Sequence, residues 1–230
     1  MKFINRKKEL NSLNDWWALN EPQFIVIYGR RRIGKTELIK QFIKNKPHIY
    51  FLAQQISEHE NLKTLGKLVG EYFDDLILKE KGFDNWAVFF EYIKKHVGQR
   101  LILAIDEFPY LAESNKSISS IFQAGWDEHL KDVPIVLILC GSSVAMMERE
   151  VLSSKAALYG RRTGQIKLKP FSFYEASEFF PGKQFEEKLK YFTVMGGNPA
   201  YLSRINPEKT FEDNIIQLIL SPVSPLYSEV

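Results

Sequence analysis

The chain has 230 residues, 45% of them hydrophobic and 26% charged, which is ample for one large domain or a domain with a small appendage and excludes a disordered or peptide-sized scaffold. The single cysteine, Cys140, cannot form an intramolecular disulfide, and His48, His59, His96 and His129 lack any metal-ligand spacing, so a structural zinc site is excluded. The net charge of +3 is too small to argue for nucleic acid, but it is uneven: residues 1–50 carry eleven basic and four acidic side chains, residues 51–150 ten and sixteen, and residues 151–230 ten and eight.

In chain order, the N-terminus is charged from its second residue and has no apolar h-region, so it does not read as a secretory signal and a reducing cytoplasm is expected. Short apolar runs then predict strands at Phe24–Tyr28, His48–Leu52, Leu101–Ile105, Ile135–Cys140 and Gln165–Lys169. Leu101–Ile105 and Ile135–Cys140 are apolar throughout, as in central strands covered by helices on both faces. Between them, Ile118, Ile121, Phe122, Trp126 and Leu130 make one apolar helical stripe, which reads as core. The longest apolar stretch, Val133 to Met147, is interrupted by Gly141, Ser142 and Ser143 and is shorter than the roughly 18 to 20 residues of a membrane span. After Pro170 the pattern turns helical: Phe173–Phe180, Phe185–Met195, Ala200–Ile205 and Phe211–Leu220, punctuated by Pro181-Gly182 and Gly196-Gly197-Asn198-Pro199. The expected class is therefore α/β, a three-layer α/β/α core with a mostly parallel five-stranded sheet over residues 1–170, followed by a small all-helical domain over 171–230.

The strongest motif is Gly29-Arg30-Arg31-Arg32-Ile33-Gly34-Lys35-Thr36, a full G-x-x-x-x-G-K-[ST] placed directly after a strand and before a helical run. Glycines let such a loop curl until its backbone N–H groups converge on phosphate, and the following helix points its positive end at the same place. Lys35 would neutralise the β- and γ-phosphates, and the Thr36 hydroxyl would be a Mg²⁺ ligand. The candidate nucleotide-contacting set is thus Gly29, Arg30, Arg31, Arg32, Ile33, Gly34, Lys35, Thr36 and Glu37. For the three arginines, contact with phosphate, with a neighbouring subunit or only with solvent all stay open.

The strand Leu101–Ile105 ends in Asp106-Glu107. A carboxylate at the C-terminal end of a buried parallel strand lies in the crevice where such sheets bind ligands, so Asp106 is the candidate Mg²⁺ residue. Glu107 is then placed to orient an attacking water, which favours hydrolysis over transfer to a bound acceptor. At the end of the next strand, Cys140-Gly141-Ser142-Ser143 offers small hydroxyls that could contact the γ-phosphate or the lytic water; a helix N-cap formed by Ser142 or Ser143 explains them equally well. Cys140 reads as an unreactive buried thiol.

Together these residues resemble the archaeal-type ATPases of the AAA+/STAND group of P-loop NTPases. The resemblance runs from Phe3-Ile4-Asn5-Arg6-Lys7-Lys8-Glu9-Leu10 through the P-loop, Leu101–Glu107 and Cys140–Ser143 to Leu158-Tyr159-Gly160-Arg161-Arg162-Thr163 and Gly196-Gly197-Asn198-Pro199-Ala200-Tyr201-Leu202. It implies that residues 1–10 pack by the adenine, with Phe3, Ile4 and Arg6 as base-side candidates. It implies that Arg161 or Arg162 reaches the γ-phosphate of a neighbouring subunit as an arginine finger. It also implies that the turn at Gly197 and Pro199 lies in a lid that senses nucleotide state, with Pro199 near the adenine or ribose. Members of this group commonly continue into a winged-helix segment and a nuclease-like domain, whereas this sequence stops at Ser224–Val230, so it is either naturally short or a fragment.

The expected function is a Mg²⁺-dependent ATPase whose ATP/ADP cycle works a switch or an assembly motor, in a homo-oligomer with the finger supplied in trans. A nucleotide-binding module with bound ADP and negligible turnover is the alternative, and a P-loop kinase a more distant one. A DNA or protein partner would be met through the absent C-terminal region; these residues hold no recognition-helix or aromatic stacking motif, and no membrane role is expected. No Asn-Lys-x-Asp sequence is present, which favours ATP over guanine nucleotides.

Overall fold

The computed structural model describes residues 3–227; positions 1–2 and 228–230, the outer ends of the two expected domains, lie outside the described residues. Five strands, β1 (Gln23–Tyr28), β2 (His48–Leu52), β3 (Leu101–Asp106), β4 (Ile135–Gly141) and β5 (Gly164–Lys167), form one all-parallel sheet in the order β2-β3-β4-β1-β5. Every residue of β1, β3 and β4 is buried, the expected signature of strands with helices on both faces. The two fully apolar strands are indeed interior, with β4 at the centre. Strand β5 ends two residues before the predicted Lys169. It is an edge strand paired only with β1, and β1 stops at Tyr28 to enter the glycine loop, so the ladder ends where Leu168 donates to the Tyr28 carbonyl.

Two compact units divide the chain. One holds residues 7–30 and 35–168; the other holds, among the described residues, 3–6, 31–34 and 169–227. In the first, the connections are α1 (Lys7–Ala18), α2 (Lys35–Ile43), α3 (Glu58–Phe73), α4 (Leu76–Lys81), α5 (Trp86–His96), α6 (Phe108–Ser114), α7 (Ile118–Gly125) and α8 (Val144–Met147). Local chemistry starts several of them: Ser57 and Glu60 close a capping box on α3, while Asp75 and Asn85 cap α4 and α5. The stripe Ile118, Phe122, Trp126, Leu130 is buried as expected, with Ile121 at its rim, and a π-helical turn over Trp126–Leu130 carries it past the end of α7. Phe24, Val26, Leu103, Ile105, Leu137 and Leu139 share that cluster; burial of each such side chain contributes roughly 1.5–3 kcal/mol.

The second unit carries α9 (Phe173–Ser177), α10 (Phe185–Met195), α11 (Pro199–Leu202) and α12 (Phe211–Ile215), the last continued by a π-helical turn over Ile216–Leu220. Its own core contains Phe171, Phe180, Tyr191, Met195, Leu202 and Ile219. The buried Asn214 amide donates to Tyr191 Oη at 3.1 Å and to the Asn206 carbonyl at 2.9 Å, which ties α12 to α10 and to the turn before it. Helix α9 is shorter than the predicted Phe173–Phe180, and α11 shorter than Ala200–Ile205. Each gives way after one turn to irregular turns, short pieces held by tertiary packing rather than propensity.

Candidate functional site

The loop after β1 begins where a fully buried strand can no longer continue its ladder, and it ends at Lys35, the first residue of α2. Two residues turn the chain through left-handed backbone, Arg32 at φ 67° and Gly34 at φ 89°, the second a conformation that glycine adopts without steric cost. Lys35 is buried, and its ammonium donates to the Gly29 and Arg30 carbonyls at 3.1 and 3.0 Å, so the loop wraps its own cation. Ile33 is buried, while Arg30, Arg31, Arg32 and Glu37 are exposed.

Next to Thr36 stands Asp106, fully buried at the C-terminal end of β3. Its Oδ2 accepts the Thr36 hydroxyl at 2.7 Å and the Tyr50 hydroxyl at 2.8 Å, and its Oδ1 accepts the Glu107 backbone N–H at 3.0 Å. Burial first, then the charge and hydrogen bond of Asp106, push the Tyr50 phenol well above its ordinary range, so it stays a neutral donor. Burial and Asp106 likewise push the Cys140 thiol up, which leaves it inert, as its apolar strand implies.

Glu107 sits in the left-handed region (φ 55°, ψ 43°), an uncommon conformation for a side chain of this size that costs on the order of 1–3 kcal/mol. It precedes α6 without capping it, because its Oε2 accepts instead from the Ser142 N–H at 3.2 Å and the Ser142 hydroxyl at 2.8 Å. Ser143 takes the N-cap role open in the sequence, capping α8 through Met146 N–H, while the Ser142 hydroxyl binds Glu107, a contact the sequence did not suggest.

The remaining candidates lie as follows. Arg161 forms a forked pair with Asp127, its Nε at 3.0 and 2.9 Å from the two carboxylate oxygens and its Nη2 at 2.8 Å, while Nη1 donates to the Ala157 and Tyr159 carbonyls. Arg162 donates to the Leu152 carbonyl and lies over the Tyr159 ring. In the second unit, Arg6 is buried on the carbonyls of Ile33 and Lys169, Phe3 and Ile4 are half-buried, and Pro199 opens α11 beside Gly34. Sequence reasoning missed Tyr50, Asp127 and the engagement of Arg6. Tyr50 meets Asp106 only through the pairing of β2 with β3, and Asp127 lies 34 residues from its partner, so neither had a local signal.

Among the described residues no group of three or more His, Cys, Asp or Glu side chains could hold a metal by itself. The pair of a buried carboxylate and a hydroxyl at Asp106 and Thr36 is an all-oxygen donor set, which fits Mg²⁺ that draws its other ligands from water and phosphate. Among the described residues no helix is long and apolar enough to cross a membrane.

The family model for an ATPase domain found predominantly in Archaea matches residues 3–205. The chain belongs to this family. An uncharacterized protein of Methanocaldococcus jannaschii is 40% identical over 203 residues, which are 88% of this chain and 44% of that protein. An uncharacterized ATP-binding protein of the same organism is 54% identical over 44 residues, 19% of this chain and 75% of its own length. Among solved structures, the Walker-type ATPase of Pyrococcus abyssi superposes with a TM-score of 0.66 at 22% identity, over 88% of this chain and 66% of that one. The Aeropyrum pernix ORC2 protein, in ADPNP–ADP complexes, gives 0.65 at 15% identity, over 88% and 61%. These likenesses establish the archaeal ATPase-domain fold, and the chain spans less than half the length of the first of these relatives.

Proposed function

We propose that this archaeal ATPase-family chain binds Mg-ATP at residues 29–36 and hydrolyses it as a nucleotide-driven switch of the AAA+/STAND type, with residues 1–170 as the ATPase core and 171–230 as the sensing helical domain. The observation that carries the reading is the 2.7 Å bond between Thr36 and Asp106, which joins the glycine loop to the acidic strand end, with Glu107 the next residue. Phosphate oxygens are anionic and accept charge-assisted bonds more strongly than carbonyls, so Lys35 would leave Gly29 and Arg30 for the β- and γ-phosphates. Thr36 and Asp106 would hold Mg²⁺, which when bound supplies neutralisation of the phosphate charge. Glu107, held by Ser142, would orient water for attack on the γ-phosphate, and loop N–H groups of residues 29–36 would hold the phosphates. Phe3, Ile4 and Pro199 stand as base-side candidates.

Arg161 is the candidate finger, acting in trans within a homo-oligomer once it leaves Asp127. The same pair supports the second reading, a nucleotide-holding module with negligible turnover, because both Arg161 and Glu107 are engaged by groups of this chain. A protein or DNA partner belongs, on this reading, to regions such as those by which the longer relatives exceed this chain. Phosphate release by purified protein over a wide concentration range separates the two. The switch reading expects specific activity to rise with concentration and to be lost in Glu107→Gln and Arg161→Ala; flat activity near zero with nucleotide retained supports the module.

A further inference from the structure

A loop whose N–H groups converge on an anion must direct carbonyls the opposite way, because each trans peptide plane holds C=O and N–H antiparallel. Those carbonyls need donors wherever they are buried. For the peptide between Ile33 and Gly34 the donor is Arg6: its Nη2 bonds the Ile33 carbonyl at 3.0 Å, and the same nitrogen bonds the Lys169 carbonyl at 2.8 Å. The side chain is only 4% exposed, and its guanidinium lies over the Phe171 ring, 4.1 Å from the centroid. The backbone of Arg6 is itself in the left-handed region at φ 61°, and its N–H donates to Asn5 Oδ1, so the residue is held in an uncommon conformation from its own side as well.

From Phe171 the connection continues. The Phe171 N–H donates to the Gly197 carbonyl at 2.7 Å, and Gly197 packs so closely on the Phe171 backbone that a Cβ there would overlap its carbonyl oxygen. Asn198 then caps α11, and Pro199 Cγ lies 3.8 Å from where a Gly34 Cβ would stand, which brings the path back to the loop. Segments 3–6, 31–34 and 169 onward accordingly fall in one compact unit.

We propose that Arg6 is a positioning residue that sets the Gly34 amide for phosphate and ties that setting to the Lys169–Leu202 segment, so that phosphate occupancy is felt by the helical segment chiefly through this side chain, with the Pro199–Gly34 contact beside it. The inference rests on the nucleotide-binding reading above and gives Arg6 a role other than contact with the base. The guanidinium suits it: one cation donates to two carbonyls while its flat face stacks on a ring, and an ammonium has no flat face to stack.

The test is hydrogen–deuterium exchange of the full chain with and without saturating Mg-ADP, in wild type, Arg6→Met, Arg6→Lys and Phe171→Leu. In wild type, Mg-ADP is expected to slow exchange both at 30–36 and at 169–202. In Arg6→Met, slowing at 30–36 persists at raised Mg-ADP, with affinity about tenfold weaker, while 169–202 loses most of its slowing; Arg6→Lys behaves in the same direction. Should Arg6→Met not fold, Phe171→Leu keeps both hydrogen bonds, removes the stack, and is expected to weaken slowing at 169–202 several-fold while 30–36 is unchanged. Undiminished slowing at 169–202 in these variants overturns the proposal, as does a wild type in which only 30–36 responds. If Mg-ADP slows nothing at 30–36 in wild type, the nucleotide-binding reading itself fails, which is a distinct result.

Discussion

Replacing Tyr50 with Phe removes one oxygen and leaves the ring in place, so it isolates the hydrogen bond to Asp106. Asp106 is fully buried, and its Oδ2 has Thr36 and Tyr50 as hydroxyl donors. A hydrogen bond to a charged group contributes about 1.5–3 kcal/mol, and removal of the Tyr50 hydroxyl leaves Thr36 as the hydroxyl donor to Oδ2. Tyr50→Phe should therefore lower stability by about 2 kcal/mol, which in a domain of this size is a Tm drop of about 4–8 °C. The assay is urea unfolding at neutral pH with no change of m-value, with Tyr174→Phe, an exposed tyrosine, as the control expected within about 0.5 kcal/mol. The pH dependence has a definite sign. Because the folded-state pKa of Tyr50 is raised, its contribution is complete below the ordinary tyrosine value of 10.0 and is lost as pH rises beyond it. The gap between wild type and Tyr50→Phe should thus narrow above about pH 10. A neutral-pH difference below 0.5 kcal/mol, or a gap that widens with alkali, would refute the reasoning.

Ser142→Ala removes the hydroxyl that holds Glu107 while leaving the backbone N–H in place; hydrolysis should fall about tenfold with Mg-ADP affinity within about twofold, read by phosphate release and dialysis side by side. Asp127→Asn breaks the partly exposed pair with Arg161, so it should cost less than about 1 kcal/mol in urea while lowering the protein concentration for half-maximal ATPase activity several-fold; unchanged concentration dependence would deny Arg161 a role in trans. Gly197→Ala drives a methyl into the Phe171 carbonyl, and the C-terminal unit should lose more than about 2 kcal/mol, seen as faster exchange over its own amides; a neutral variant would contradict the packing described.

The parts of the molecule legible in the sequence are those with short-range signals. Strands β3 and β4 read clearly because their runs Leu101–Ile105 and Ile135–Cys140 are apolar throughout, and residues 29–36 read clearly because their glycines, lysine and threonine stand at fixed offsets between a strand and a helix. Asp106 followed from its position at the end of such a strand. What stayed hidden depends on register and on long-range partners. Tyr50 reaches Asp106 across the β2–β3 ladder, where Leu52 is the residue in register with it. Ser142 and Ser143 are chemically alike as caps, and only the reach of Glu107 between β3 and β4 separates them. Arg6 is a base-side candidate through the family resemblance alone, and its burial on carbonyls 27 and 163 residues away leaves no local signal in the sequence. The same distance hides the grouping of residues 31–34 with the C-terminal unit.

The central claim is that residues 29–36, completed by Asp106, form a Mg-nucleotide site. Equilibrium dialysis of Mg-ATP against wild type and Lys35→Ala tests it most directly. The account predicts saturable binding at one site per chain that requires Mg²⁺ and is weakened at least a hundredfold by the substitution, since Lys35 would lose its charge-assisted bonds to phosphate. Absence of Mg-ATP binding, or binding in which Lys35→Ala matches wild type, would contradict it.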